Sequence, residues 1–375
     1  MVYHTDCRLF NGYKPCKYKR ACDDCPHYDP VGEKIAILSL EAMGAVLRST
    51  CLLPAIKRQY PQAHITWFTL KSAQPLLENN PFIDRLIVVD GKTQSLIDFL
   101  QFDLLYAVDK SLEAGAMAER IQAKTKFGFG LDAQGVIRPL SAAADYQYAV
   151  GLDDELKFFI NQKPETQQIT ETMGISWQRD PYILRLTDSE KQKVQQRREE
   201  IFSLGVQGII GYNTGCSLLF PYKKFTVERA VEVIGAWRQQ FPNWAVALLG
   251  GPEDTERQKA MKEAFVDDQL VINTPTNQGL RSGILWMDAT DIVLSGCSLG
   301  LHIAIALQKS VIAWFGVSCI QEIDIYDRGV KLQAEVACSP CWRRSCEQEI
   351  KCYDMVRVES IINATRQLVN TGTLT

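Results

Sequence analysis

The 375-residue sequence predicts an α/β protein made of two doubly wound domains facing each other across a cleft. Three observations predict it. Short apolar runs alternate with amphipathic stretches through most of the chain, as in parallel sheets covered by helices on both faces. The rhythm stops between Asp153 and Leu184, where the chain is polar and lacks a clear period, and then restarts. The length is more than one core fills comfortably and suits two domains of about 150 residues each.

Residues 1–30 form a Cys- and Lys-rich arm that ends in Pro26 and Pro30 and has neither helix nor strand period. The first domain is placed at 31–185. Its strands are expected at Lys34–Leu40, His64–Leu70, within Phe82–Val89, at Asp103–Val108 and at Lys126–Phe129. A helix from about Ala45 to Tyr60 should be interrupted or kinked by Pro54, and another runs from Ser111 to Gln122. The second domain is placed at 186–375. It begins with a charged helix over Ser189–Leu204, a strand at Gly208–Tyr212 and a helix over Val227–Gln240. A strand at Trp244–Leu249, a helix over Glu253–Phe265 and a strand at Leu270–Ile272 follow. Then comes Asp288–Gly316, DATDIVLSGCSLGLHIAIALQKSVIAWFG: a short strand, a turn with Ser295, Gly296, Ser298 and Gly300, a helix with His302 in its first turn, and a second strand.

Composition narrows the function classes. Hydrophobic residues are 46% and charged residues 23% of the chain, the balance of a soluble globular protein. A net charge of −3 gives no electrostatic reason to expect nucleic acid or an anionic membrane as partner. No apolar run is long enough to span a bilayer and MVYHTDCRLF has no signal-peptide core, so the expected location is the cytoplasm. Twelve cysteines in that compartment need an explanation other than disulfides. Cys7, Cys16, Cys22 and Cys25 form one group; Cys338, Cys341, Cys346 and Cys352 form another. Four thiolates joined by short loops can wrap one tetrahedral ion or hold a cluster. A structural zinc, iron or iron–sulfur site is therefore expected at each end, ordering segments that have no period of their own. Cys51, Cys216, Cys297 and Cys319 stand alone and read as small buried side chains.

In doubly wound sheets ligands bind at the carboxyl ends of strands, so the loops there hold the candidates. Met43 and Gly44 follow the first strand, where Glu41 is the nearby carboxylate. Asp109 follows the fourth; it suits a general base aimed into a cleft, or equally a cap for the next helix. Asn213, Thr214, Cys216 and Ser217 precede Lys223 and Lys224. Small polar groups followed by a lysine pair suit a diphosphate, and also suit a solvated loop. Gly250, Gly251 and Glu253 form a strand–turn–helix junction that lets a ligand approach the backbone. Cys297, Ser298, Leu299, Gly300 and His302 lie where a helix N-terminus offers a seat for phosphate, or where an ordinary crossover has a serine cap.

Together these pieces resemble glycosyltransferase family 9, the heptosyltransferase family, whose architecture is GT-B with two Rossmann-like domains. The resemblance rests on MGAVLRSTCLLPAIKRQYPQAHITW, VDKSLEAG, GYNTGC with PYKKF, LLGGPE and SGCSLGLHIAIALQKSVIAWFG, and spans about Ile35 to Cys352. The Cys-rich ends look closest to a branch that includes bacterial autotransporter heptosyltransferases, some of which hold Cys-bound iron. The resemblance implies inverting transfer of a heptose or similar sugar from an ADP-activated donor to a hydroxyl of a lipopolysaccharide core or a protein. It implies donor binding on the second domain, with Lys223 and Lys224 at the diphosphate and Thr214, Ser298–Gly300 and His302 at phosphates and sugar. No metal is implied at the reaction centre; peripheral membrane contact and a homo-oligomer are allowed. Two positions depart from the family pattern. Ala45 stands where the family usually has an aspartate base, and Cys297 where it usually has an aspartate that meets the donor sugar. Asp109 is the replacement base this reading selects, with Glu41 second. The alternatives are an inactive nucleotide- or sugar-binding scaffold and a metal- or redox-sensing protein.

Overall fold

Both halves of the chain lay their apolar runs side by side as parallel strands, in a computed structural model that describes residues 2–371. The chain forms two units. One runs to Asp153 and includes Thr166–Ile183; the other comprises Asp154–Glu165 and the chain from Leu184 onward. The polar stretch from Asp153 to Leu184 is thus shared between them. It contains a π-helix over Leu156–Ile160 and an α-helix over Glu165–Thr172, which its weak periodicity concealed.

The first unit holds β1 (Lys34–Leu38), β2 (His64–Thr69), β3 (Arg85–Val88), β4 (Gln101–Ala107), β5 (Gln122–Leu131) and β6 (Ile137–Pro139), in the order β3-β2-β1-β4-β5-β6. The first five are parallel and β6 closes antiparallel on β5. Central β1 is buried from Ile35 to Leu38, which is why it reads as an unbroken apolar run and not as an alternation. Of the two outcomes expected at Pro54 the chain takes the interruption, with two helices, Met43–Ser49 and Leu52–Gln59. The break at Thr50–Cys51 lies one turn before Pro54, whose missing N–H and bulky ring disrupt the preceding turn. The Thr50 hydroxyl fills the gap, donating to the Leu47 carbonyl at 2.6 Å and accepting from the Ile183 N–H at 2.7 Å.

The second unit holds β7 (Gly208–Asn213), β8 (Trp244–Leu249), β9 (Val271–Asn273), β10 (Ile292–Gly296), β11 (Ser310–Phe315) and β12 (Gly329–Gln333). The order is β12-β11-β10-β7-β8-β9, all parallel. Its core is aromatic: Tyr212, Phe225, Trp237 and Trp314 are buried, and the Phe225 and Trp314 rings stack at 4.6 Å. Trp237 Nε1 donates to Thr365 Oγ1 at 2.9 Å, tying the helix Val227–Gln240 to a terminal helix, Val358–Asn370. In both units the chain starts mid-sheet, builds outward on one side, and returns to the other side of its first strand. The order therefore reverses between β1 and β4 and between β7 and β10, the places where such sheets open a crevice at their carboxyl ends.

The structure overturns the expected metal sites. Among the described residues no group of three or more Cys, His, Asp or Glu side chains is arranged to hold a metal ion. Cys7, Cys16, Cys22 and Cys25 at one end, and Cys338, Cys341, Cys346 and Cys352 at the other, form no disulfide either. Sequence spacing brings thiols into one segment, but a metal also needs their sulfurs to converge as thiolates. At the second group burial, then the neighbouring Cys341, Cys346 and Cys338, push the Cys352 thiol up to about 11. Other contacts order both segments. Arg8 donates to the Asp29 and Asp84 carboxylates at 3.0 and 2.5 Å and to the Gln62 and Ala63 carbonyls at 2.9 and 3.0 Å. At the other end Ser339 Oγ donates to the Gly316 carbonyl and accepts from Gln333, both at 2.6 Å. A zinc, iron or iron–sulfur cofactor is not supported by this donor set.

Candidate functional site

In the second unit the reversal of strand order is bridged by one side chain. Asn213 ends β7, and its amide Nδ2 donates to Ser295 Oγ and Ser298 Oγ at 3.0 Å and to the Gly215 carbonyl at 2.9 Å. Ser295 lies in β10 and Ser298 opens the helix Leu299–Ala306, so Asn213 ties the β7 loop to the start of that helix. The fit is close: a Cβ on Gly300 would lie 2.5 Å from the Asn213 side chain. Ser298 adopts the extended N-cap conformation, yet its hydroxyl makes no cap bond. It accepts from Asn213 instead, and the positive end of the helix starts without a side-chain cap. Cys297 is half-buried between β10 and this helix, and His302 is buried within it.

The lysine loop lies directly on the end of β10. A Cβ at Gly296 would fall 2.1 Å from the Lys223 carbonyl oxygen, so only glycine permits this approach. The two lysines then take different surroundings. Lys224 Nζ is 3.8 Å from Asp254 Oδ1. Lys223 Nζ sits 4.1 Å from the centre of the Trp342 ring and 4.7 Å from that of Phe220.

Asp254 is the residue the sequence reading missed, since it fixed on the adjacent Glu253, which is exposed. Asp254 is 5% exposed, accepts from the Gly251 N–H at 3.1 Å, and leaves room for no side chain at Gly215. Burial pushes its carboxyl above the ordinary aspartate value, against the opposing pull of the Gly251 N–H and Lys224. It thereby gathers the Gly250–Gly251 turn, the Gly215 loop and Lys224 around one carboxylate. A signal was available: the aspartate sits where the helix Thr255–Glu263 begins, three residues after a glycine. Trp342 was also missed, because the expected metal site absorbed its segment.

Thr214 is placed differently from expectation. It is buried, its hydroxyl donates to the Leu249 carbonyl at 2.9 Å and accepts from Gln258 at 3.1 Å, and its carbonyl accepts from Arg257 at 3.1 Å. Its hydroxyl is spent inside the protein. Ser217 lies exposed on the loop, accepting from the Leu219 N–H at 3.2 Å.

In the first unit the equivalent bridge is Asp109. Its Oδ2 accepts from the Leu40 and Glu41 N–H groups, both at 3.2 Å, and its Oδ1 from the Ser111 N–H at 2.9 Å. The helix Leu112–Arg120 is capped by Ser111, whose hydroxyl accepts from the Ala114 N–H at 3.2 Å. Asp109 is therefore not that helix's cap; it spans the carboxyl ends of β1 and β4, with its carboxylate oriented by three backbone donors. Met43 and Gly44 begin the helix after β1 and are half-buried, Ala45 follows them, and Glu41 is exposed.

The sequence profile of "Glycosyltransferase family 9 (heptosyltransferase)" matches residues 97–352. A Campylobacter coli protein, "Lipopolysaccharide heptosyltransferase 1", is 22% identical over 306 residues, covering 76% of this chain and 84% of its own. The crystal structure of a family 9 glycosyltransferase from Veillonella parvula is similar with a TM-score of 0.66 at 17% identity, covering 91% of this chain and 98% of its own. The structure of E. coli ADP-heptose LPS heptosyltransferase II is similar with a TM-score of 0.64 at 17% identity, over 90% of this chain and 99% of its own. At such identities the likeness is one of fold, the GT-B-like two-domain α/β fold.

Proposed function

Because the chain belongs to glycosyltransferase family 9 and is a glycosyltransferase, we propose that it moves a heptose, with inversion, from an ADP-activated donor to a hydroxyl of a lipopolysaccharide core. The observation that carries this reading is the meeting of a helix N-terminus without a side-chain cap and a lysine loop at the carboxyl ends of β7 and β10. Backbone N–H groups and ammonium groups fixed before reaction are the means by which a protein stabilises a departing diphosphate.

In this reading Asp109 takes the proton of the acceptor hydroxyl. The acceptor oxygen bonds to the anomeric carbon as the bond from that carbon to the ADP oxygen breaks, and attack opposite the leaving group inverts the centre. Lys223, supported by Lys224 and the first-turn N–H groups of Leu299 and Gly300, meets the charge gathering on ADP. Asn213 holds the loops that present these donors. Cys297, His302 and the Gly250–Glu253 turn are assigned to the sugar and nucleoside, and Met43 and Gly44 to the acceptor side. Placement within the Cys-rich autotransporter branch rests on cysteine spacing alone, and a protein hydroxyl is the acceptor it would favour.

The test is calorimetric binding of ADP and ADP-heptose, followed by turnover of wild type and Asp109→Asn with a lipopolysaccharide-core acceptor. Donor binding should survive in Asp109→Asn while kcat falls by roughly 10²- to 10⁴-fold, the usual worth of a general base. An unchanged kcat removes Asp109 from the mechanism. Binding without turnover on any acceptor, core or protein, would favour the scaffold reading.

A further inference from the structure

Two ammonium groups from distant parts of the chain converge on one indole in the second unit. Lys223 Nζ lies 4.1 Å from the Trp342 ring centre and Lys157 Nζ lies 4.8 Å from it. The Phe220 ring meets the same indole edge-to-face at 5.4 Å and 88°. The two cations are not alike. Lys157 is ion-paired at 3.3 Å with Glu322, a carboxylate only 3% exposed. Among the described residues Lys223 makes no ion pair; its charge is held against rings. Lys224, next to it, shares its charge with Asp254 at 3.8 Å.

We propose that Trp342 is a positioning residue for the phosphate-binding lysine: its indole face fixes the Lys223 ammonium at the end of β10 without neutralising it. A carboxylate would orient the lysine equally well, but an incoming diphosphate would first have to break that ion pair. An aromatic face attracts the cation through its quadrupole and leaves the net charge intact. The ammonium is then oriented before the ligand arrives, the condition under which a fixed charge contributes most to stabilising a leaving group. The pairing of Lys157 with Glu322 removes the repulsion that a second bare cation on the same ring would impose.

Trp342 is itself held firmly. Its backbone N–H donates to the Val317 carbonyl at 2.9 Å, just beyond β11. Its backbone takes the left-handed conformation at φ 48°, costly for a bulky residue and kept only where the surroundings impose it. The segment 338–352 thus has a task that needs no metal: it carries an aromatic face to the lysine loop.

The proposal rests on the reading of Lys223 as the diphosphate lysine, and the experiment separates the two. ADP affinity and steady-state constants for donor and acceptor are measured on the full chain for wild type, Lys223→Gln, Trp342→Phe, Trp342→Leu and the two Trp342 variants combined with Lys223→Gln. Trp342→Leu should weaken ADP binding and lower kcat/KM for the donor by roughly three- to ten-fold, leave the acceptor KM unchanged, and be largely rescued in Trp342→Phe. In the Lys223→Gln background neither Trp342 substitution should cost anything further. Equal losses in both backgrounds, or none in wild type, would overturn the role of the ring while leaving that of Lys223 standing. A Lys223→Gln enzyme that binds ADP and turns over like wild type would overturn both. Should Trp342→Leu fail to fold, the cycle is read from Trp342→Phe, where a smaller loss of the same non-additive kind is expected and an additive one refutes the proposal.

Discussion

At the scale of single residues, the second unit's candidate site is set by how closely backbone and side chains approach. Gly296 carries the clearest consequence, because any Cβ there meets the Lys223 carbonyl at 2.1 Å. Gly296→Ala should therefore displace the lysine loop, lower ADP affinity in calorimetry by about ten-fold or more, and cost roughly 1–3 kcal/mol of stability as an overpacking change. Wild-type affinity in a folded Gly296→Ala protein would show that the loop's placement does not matter for the nucleotide. Asp254 gives a pH signature. Its folded carboxyl is raised above 3.8, first by burial, so the folded state holds its proton more tightly than the unfolded chain does. This group lowers stability as pH rises upward from 3.8 through its folded value, where it must ionise inside the protein. Asp254→Asn keeps an acceptor for the Gly251 N–H and removes that loss. Denaturant midpoints measured on both proteins from acid to neutral pH should fall further in wild type; parallel curves would deny that the buried charge is costly.

At the scale of elements, helix ends are secured by small local devices. The helix Asp188–Phe202 starts with a capping box in which Thr187 and Glu190 satisfy each other's backbone N–H groups. Glu190 also pairs with Arg281 of the helix Leu280–Asp288, joining two helices that pack against each other. The Arg281 hydrogen bond, ahead of the Thr187 N–H, holds the Glu190 carboxyl at about 2, below its ordinary 4.5. Its stabilisation is fully present above 4.5 and is lost as pH falls toward 2. Solvent screening at a partly open site reduces the worth of that shift to about 1–2 kcal/mol. Glu190→Gln should lose that much at pH 7 in urea unfolding and nothing below pH 2. A Gln variant as stable as wild type at pH 7 would mean the pair is no better than a solvated one.

At the scale of the whole molecule, each unit carries its own parallel sheet and its own reversal of strand order, and no helix among the described residues is long and apolar enough to cross a membrane. The groups proposed to meet phosphate, Lys223, Lys224 and the N-terminus of the helix Leu299–Ala306, all lie in the second unit. ADP at about a hundred times its Kd should stabilise that unit by about 2.7 kcal/mol. Amide exchange should then slow at β7, β10 and the helix Leu299–Ala306, with the sheet strands β1 and β4 unaffected. Protection that rises first at β1 and β4 would move the nucleotide to the other unit.

Much was legible because it is local. The buried strands β1, β8 and β11 announce themselves as unbroken apolar runs, since both faces of a parallel sheet are covered. The helix Val227–Gln240 shows its period, and the loops after β4, β7 and β10 fall where a doubly wound order puts ligands. The family resemblance rested on those same segments. Strand β12 was not legible, because its burial depends on partners far away in sequence; the helix Val358–Asn370 was overlooked although Val358, Ile361, Ile362, Thr365 and Leu368 keep the helix period. The cysteine groups were misread for a related reason: spacing states how near thiols can come along the chain, not whether their side chains are arranged around one ion. What the sequence by itself determined was the alternation of elements, the family and the loops that carry polar side chains. Only the tertiary structure decided which of those side chains are spent inside the protein, as in Thr214, and which stay available, as in Lys223 against Trp342. That division depends on three-dimensional neighbours, since a hydroxyl or an ammonium is committed or free according to what stands within a few ångströms of it, whatever its place in the chain.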